Sequence, residues 1–373
     1  MLGLYVHIPF CSHKCYYCDF VSYVRSENLM GDYVDCVLKE LSYYDYVKFD
    51  TIFIGGGTPS YLDEKNLEKL LKGIKSLTIS SNVLEFTIEC NPGTLNYDKL
   101  RLMKEYGVNR LSLGLQSANK KTLKSIGRVH TLEDFDKNFN YAVNIGFDNI
   151  NVDLIFGIPY ENFEDYSKTL DVVVKNYNLT HISAYNLILE KNTRFYNMYK
   201  KNEFSELDED SQLKSYNYTK KFLEKHDFYQ YEISNYSKKN KECLHNLLYW
   251  NLENYLGIGV AAHSFFEGRR FENVRNLSDY MKMVMKSRHN YVNEHVNSSK
   301  DSIEEFVMLG FRKNEGISVI DFKNRFGEDF KQIFRKQLLK HEKNNLLISE
   351  NDRIFLSDEG FCLMNFVLKD FVF

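Results

Sequence analysis

His7-Ile8-Pro9-Phe10-Cys11-Ser12-His13-Lys14-Cys15-Tyr16-Tyr17-Cys18 follows directly on the apolar run Leu4–Ile8. A short strand that breaks into a loop of thiols is the feature from which the rest of the chain is read. Structural zinc takes four protein ligands, and ordinary iron–sulfur clusters take four cysteines. Cys11, Cys15 and Cys18 are one short. Three thiolates leave a metal position open to a ligand that is not protein, and an open iron is a place where a ligand is bound and supplied with electrons. Other readings stand beside this one. The cysteines can be small buried hydrophobes, or a zinc site completed by His13 or a distant cysteine. A redox pair of Cys15 and Cys18 leaves Cys11 unexplained.

Outward from that loop, the chain alternates. The apolar, β-branched runs Leu4–Ile8, Thr51–Ile54, Leu84–Ile88, Arg110–Leu115, Asn149–Phe156 and His181–Leu187 are separated by amphipathic stretches such as Tyr33–Tyr44, Lys65–Ser76, Tyr97–Tyr106, Leu132–Ile145 and Phe163–Asn176. This alternation predicts βα units and a parallel sheet. Handedness of the crossovers permits an open sheet or a barrel, and strand periodicity does not choose between them. The polar residues at the strand ends say more. Gly55-Gly56-Gly57-Thr58-Pro59 follows the second run, Glu89 and Asn91-Pro92-Gly93 the third, Gln116 the fourth, and the fifth carries Asp153 ahead of Gly157-Ile158-Pro159. Turn formation explains the glycines and prolines but not Glu89, Gln116 and Asp153 on apolar strands. A shared site at the C-terminal rim of the strands explains all of them.

Beyond Leu187 the pattern loosens. Glu190–Leu207 reads as a polar connection, Glu209–Lys225 as a helix and Tyr229–Tyr236 as strand-like. Gly257-Ile258-Gly259-Val260-Ala261-Ala262-His263-Ser264 is a small-residue segment suited to close backbone approach. From about Asn276 the chain is charged and helical, with helical stretches Ile303–Phe311, Val319–Phe326 and Phe330–Asn344 ahead of a hairpin of Leu347–Ser349 and Ile354–Leu356. The 373 residues, 43% hydrophobic and 15% aromatic, allow one large barrel-like unit and a smaller one. A net charge of −3 provides no basic field for nucleic acid. No apolar run reaches the roughly 18 residues of a membrane span. The immediate entry into a strand leaves no room for a signal peptide, and free thiolates suit a reducing cytoplasm.

The motifs together resemble the radical S-adenosylmethionine (SAM) enzymes, and across essentially the whole chain the oxygen-independent coproporphyrinogen III oxidase-like group. The strings that carry the resemblance are HIPF before CxxxCxxC, the GGGTP turn, the carboxylate-Asn-Pro-Gly element, LSLGLQS, DxxxGxP and GxGxxAHS, in that order. Two positions place the chain within the group. Where the oxidases have a fourth cysteine two residues after the third, this chain has Phe20. His245-Asn246-Leu247-Leu248-Tyr249-Trp250 matches the HNxxYW motif of the haem chaperones known as HemW.

The resemblance implies an α/β fold: a partial (β/α)6 TIM-like barrel of the radical SAM type with a smaller C-terminal, mostly helical, winged-helix-like domain. It divides the chain into 1–190 as barrel core, 191–275 as an extension carrying HNxxYW and GxGxxAHS, and 276–373 as the helical domain. It implies a 4Fe–4S cluster on Cys11, Cys15 and Cys18, with SAM on the fourth iron. Tyr5, Tyr17, Gly56, Gly57, Thr58, Glu89, Gln116, Arg128 and Asp153 are the implied SAM contacts, and His245 is implied in binding haem, with Cys243 a rival. Read alone, Arg128 is a solvated helix-end charge and His245 a packed interior histidine. Cys36, Cys90 and Cys362 read as structural. The implied function is haem trafficking to haemoproteins, respiratory ones included, with an electron donor for the cluster. A radical SAM oxidoreductase acting on a porphyrinogen is the second reading and a zinc-binding interaction module the third.

Overall fold

The computed structural model describes residues 1–286 and 291–373. Strands β1 (Leu2–Ile8), β2 (Thr51–Gly56), β3 (Glu85–Cys90), β4 (Arg110–Gln116), β5 (Ile150–Phe156) and β6 (His181–Asn186) pair in parallel, each with the next. Between them run α1 (Met30–Leu41), α2 (Glu64–Leu77), α3 (Tyr97–Glu105), the short α4 (Lys120–Ser125), α5 (Leu132–Ile145) and α6 (Phe163–Asn176). Side chains at the helix starts accept the first free backbone N–H groups. Asp63 caps α2, Asn96 caps α3, Asn162 caps α6, and Thr131 with Asp134 forms a reciprocal box on α5.

The sheet does not close. On the far side of β6 lies the hairpin β7 (Tyr229–Glu232) and β8 (Asn235–Ser237), and β9 (Asn254–Ile258) adds in parallel to the free edge of β1. The antiparallel β10 (His263–Phe266), β11 (Arg269–Asn273) and β12 (Tyr291–Val296) continue from β9. Among the described residues the sheet therefore runs β12-β11-β10-β9-β1-β2-β3-β4-β5-β6-β8-β7. It is a half-barrel with an arm at each edge.

Successive side chains on a strand point to opposite faces. Leu4, Val6, Ile8, Ile52, Ile54, Ile88, Leu111, Leu113 and Leu115 are fully or almost fully buried in one core with Leu67, Leu70, Leu71, Met103 and Phe135 of the helices. The alternate residues face the other way, and most are polar: Thr51, Glu85, Thr87, Glu89, Arg110, Ser112, Gln116, Asn151, Asp153, His181 and Ser183, with Phe53 and Ile155 apolar among them. Barrel interiors are usually filled by branched apolar residues. Here the packed core is the layer between sheet and helices, and the lumen is left for chemistry.

The sequence reading sets a domain boundary at 276. Helix Leu277–Lys286 buries Leu277, Tyr280 and Val284 in the barrel core, and β12 pairs with β11. Glu40 of α1 ties this region to the β9–β10 turn, accepting from Gly259 N at 2.9 Å, Asn273 Nδ2 at 2.7 Å and Tyr280 Oη at 2.5 Å. We place the start of the small domain near residue 297. It has its own core of Phe306, Phe311, Phe322, Phe330, Phe334 and Phe371, closed by Leu252 and Phe265 from the large unit. Its sheet orders Ile317–Ser318, Arg353–Leu356 and Leu347–Glu350, the winged hairpin foreseen in the sequence. The polar connection Glu190–Leu207 contains a helix, Arg194–Lys200, and the helix read over 330–344 is broken at Phe334.

Glu161, in the loop after β5, is 5% exposed and takes a 3.3 Å hydrogen bond from Ser117, and burial pushes its carboxyl up from 4.5 to about 8. A carboxyl raised on folding keeps its proton longer in the native state, so stability falls as pH rises from 4.5 towards 8. Denaturant titrations of Glu161→Gln will show a flatter pH dependence and, above pH 8, a gain on the order of 1–3 kcal/mol. An unchanged slope would mean the side chain is ionised in the native protein throughout.

Candidate functional site

The C-terminal ends of β1 to β6 open on a cleft of about 460 Å³. The loop after β1 brings Cys11, Cys15, Cys18 and Tyr17 to its wall, and Gly56, Gly57 and Thr58 follow from β2. Glu89, Gln116 and Asp153 come from β3, β4 and β5, and Arg128 comes from the segment after α4. Eleven positions named from the sequence, drawn from six separate segments, thus meet in one place.

The thiol loop is pinned from both sides. Cys11 N donates to Tyr23 O at 3.1 Å and Tyr16 N to Ile126 O at 3.0 Å, while Arg194 stacks on the Tyr16 ring at 3.7 Å. The glycine turn is laid against the loop's start, with Gly57 N to Ile8 O at 2.8 Å and Thr58 N to Phe10 O at 2.9 Å. A Cβ on Gly57 would lie 2.9–3.0 Å from the backbone of Ile8, Pro9 and Phe10, so only glycine allows this approach. Thr58 Oγ1 lies 3.4 Å from Cys11 Sγ and accepts from Asn91 Nδ2 at 2.8 Å.

Arg128 is not a solvated helix end; it is 8% exposed. Its guanidinium donates to Asn91 Oδ1 at 2.7 Å, to the Gly114 carbonyl and to Cys15 Sγ at 3.6 Å, while Nε has no hydrogen-bond partner among the described residues. Burial alone would raise the Cys15 thiol. The hydrogen bond of His13 and the charge of Arg128 outweigh it and bring Cys15 down to about 7. Burial raises Cys11, and it pushes Cys18 up to about 11.

Glu89 Oε2 accepts from Gly56 N at 3.1 Å. Burial, and then the neighbouring Asp153, push its carboxyl up to about 8. Burial also raises Asp153, against hydrogen bonds from Asn151 at 2.8 Å and Ser112 at 3.3 Å. A cationic ligand between them would restore both charges. Gln116 adopts a left-handed φ of 64° where the β4–β5 register slips, and its buried Oε1 is unpartnered among the described residues. Strain and bulges of this kind gather at working sites.

Two expected contacts lie elsewhere. Tyr5 points away from the cleft into a second cavity and hydrogen-bonds His7 Nδ1 at 3.0 Å. His245 is fully buried under the floor of the barrel, with Nδ1 2.7 Å from Thr51 Oγ1, Nε2 2.9 Å from Tyr249 Oη and its ring stacked on Phe53. Both ring nitrogens are hydrogen-bonded inside the protein, so iron could take one only by displacing Thr51 or Tyr249. Its rival Cys243 is also fully buried, donating to Glu85. Cys36 and Cys90 are buried, but Cys362 is exposed. The sequence reading missed Asn91, which joins Arg128 to Thr58, and the wall residues Arg110, Ser112, Asn151, Ser183 and Asn246. For Arg110, Ser112, Asn151 and Ser183, polar residues at alternate positions of apolar strands were the available signal.

Three thiols, buried unpaired polar atoms and paired carboxylates fit an open cluster and a ligand carrying amino and carboxylate groups. Among the described residues no group of three or more His, Cys, Asp or Glu is placed for a single metal ion. In a cubane the thiolates sit on separate irons and need not converge. Residues 5–173 match the radical SAM superfamily and residues 297–363 the HemN C-terminal domain. The chain is 36% identical to "Heme chaperone HemW" of Lactococcus lactis, over 99% of this chain and 96% of that protein. The chain belongs to the HemW family. Its HemW relative from Bacillus subtilis is 35% identical over 100% of this chain and 99% of that one, and the one from Escherichia coli 32% over 100% and 98%. The solved coproporphyrinogen III oxidase (HemN) of Escherichia coli, a radical SAM enzyme, shares the fold, with a TM-score of 0.86 at 24% identity over 99% of this chain and 89% of that one. The cofactors of the radical SAM superfamily, to which HemW proteins belong, are a 4Fe–4S cluster and SAM.

The glycine approach and the guanidinium bridge make separate predictions. Gly57→Ala will weaken SAM binding by more than about tenfold, measured by equilibrium dialysis of the reconstituted protein, because backbone must shift. Arg128→Met will slow alkylation of Cys15 at pH 7 in the cluster-free protein, since the thiol loses the charge that favours its ionised form. Peptide mapping by mass spectrometry reads this directly, and an unchanged rate would contradict the assigned contact.

Proposed function

We propose that this protein is a haem-binding chaperone that hands haem to haemoproteins and carries a SAM-bound 4Fe–4S cluster. The observation that carries the reading is full-length similarity to HemW proteins combined with a loop that offers three thiols and places Phe20, not a fourth cysteine, beyond them. Cys11, Cys15 and Cys18 would hold the cluster, and the remaining iron position is left for SAM. Gly56, Gly57 and Thr58 present backbone and a hydroxyl to the amino-acid end of SAM. Arg128 suits its carboxylate because the guanidinium fork offers paired donors. Glu89 and Asp153 suit the ammonium and the ribose hydroxyls, and Gln116 and Tyr17 complete the wall.

A reduced cluster of this type supplies one electron to SAM. Around it the chain's own residues exclude water, neutralise charge and hold the thiol loop. An electron donor is implied for that chemistry, and recipients are haem-requiring proteins, respiratory ones among them. Among the described residues no helix is long and apolar enough to cross a membrane.

Haem-loaded protein mixed with an apo-haemoprotein will transfer haem, followed by the change in absorbance, and will not decarboxylate coproporphyrinogen III. Sustained turnover to protoporphyrinogen would reverse the ranking in favour of a porphyrinogen oxidoreductase. Cys15→Ala will lose the cluster chromophore and its iron, since two thiolates do not hold a cubane.

A further inference from the structure

A second cleft, of about 430 Å³, lies on the opposite side of the thiol loop. Asp19 and Phe20 line both clefts, so this loop is the partition between them. One wall is aromatic: Tyr249 and Tyr255 meet edge to face with ring centres 4.6 Å apart, and both line the cleft. Phe20, 60% exposed, stands at the mouth. An aromatic slot of this size, open at one edge, suits a flat macrocycle that has to leave again.

The imidazoles around it differ in one respect that matters for iron. His7 uses both ring nitrogens, at 3.0 Å from Tyr5 Oη and 2.8 Å from Val21 O, and His245 behind Tyr249 uses both of its own. His263, at the start of β10, is 60% exposed and faces Glu272 across the β10–β11 ladder, its Nε2 3.0 Å from Glu272 Oε2. Its Nδ1 has no partner among the described residues. Imidazoles that bind metals carry a carboxylate on the second nitrogen, which fixes the tautomer and strengthens the ligand. Glu272 is itself held, by Asn293 at 2.6 Å and Arg275 at 3.2 Å. Arg275 lines the same cleft with its side chain 65% exposed, a cation at the rim for a carboxylate.

We propose that the second cleft is the haem cradle, that His263 Nδ1 is an axial ligand to the haem iron, and that Arg275 receives a propionate. His245 then acts as a positioning residue, setting Tyr249 against the bound ring. This inference rests on the haem-chaperone reading. It also places the cargo against the loop that carries the cluster.

The test is an anaerobic titration of the cluster-loaded full chain with haemin, read by absorbance, alongside iron, sulfide and SAM-binding assays. His263→Ala weakens haem binding by at least roughly tenfold and loses the spectrum of imidazole ligation, with cluster and SAM binding unchanged. Free imidazole added to that variant restores the spectrum. Glu272→Gln weakens binding by roughly 10–100-fold. If the unaltered protein binds haem and His263→Ala binds it with the same affinity and spectrum, the inference fails and the chaperone reading stands. A loss that imidazole does not restore also overturns ligation. If the unaltered protein binds no haem, both readings fall.

Discussion

The site depends on one guanidinium. Arg128 reaches from the segment after α4 to the Asn91 amide beyond β3, to the Gly114 carbonyl on β4 and to the Cys15 thiol on the loop after β1. It ties the thiol loop to the paired ends of β3 and β4, and with His13 it opposes the burial that would otherwise keep the Cys15 thiol protonated. The hydrogen bond of His13 and this charge together favour the ionised form of Cys15 against burial. With it the loop is drawn over the mouth of the half-barrel, one of its thiols ionises near neutral pH, and Nε remains for a ligand.

A polar lumen and an apolar outer layer are what allow that charge to be buried. The central strands send most of their apolar residues to the helices and most of their polar ones inward, with Phe53 and Ile155 the apolar residues that also line the lumen. Stability and function are thereby divided between the two faces of one sheet. Arg110, 2% exposed deep in the lumen, balances Glu85 and Asp153 on the neighbouring strands. Glu85 in turn accepts from the backbone N–H groups of Leu244 and His245 at 2.9 and 3.1 Å, fastening the helix Leu244–Trp250 beneath the barrel. The HNxxYW segment is therefore an underpinning of the lumen, and its Tyr249 reaches the second cleft.

Much of this was legible in the sequence because the relevant signals are local. Val319–Phe326 and Phe163–Asn176 have the ends read from their periodicity, and Glu89, Gln116 and Asp153 stood out because nothing in a turn explains a polar residue closing an apolar strand. What escaped was set by tertiary contact. Helix Leu277–Lys286 looks like the start of a helical domain, but its buried face was made for α1. His245 carries a motif, but Thr51, 194 residues away in sequence, takes its Nδ1. Tyr5 alternates on β1 as a lumen residue should, yet β9 extends the sheet beyond β1 and Tyr5 lines the other cavity with Tyr249 and Tyr255. Asn91 was read as turn punctuation because its partner Arg128 lies 37 residues away.

Mössbauer spectroscopy of anaerobically reconstituted protein, before and after SAM, tests the central claim most directly. An incompletely ligated cubane gives about four irons and four sulfides per chain, with one iron site whose signal moves on adding SAM while the other three stay in place. One tetrahedral metal ion per chain, or irons that all ignore SAM, would contradict the account.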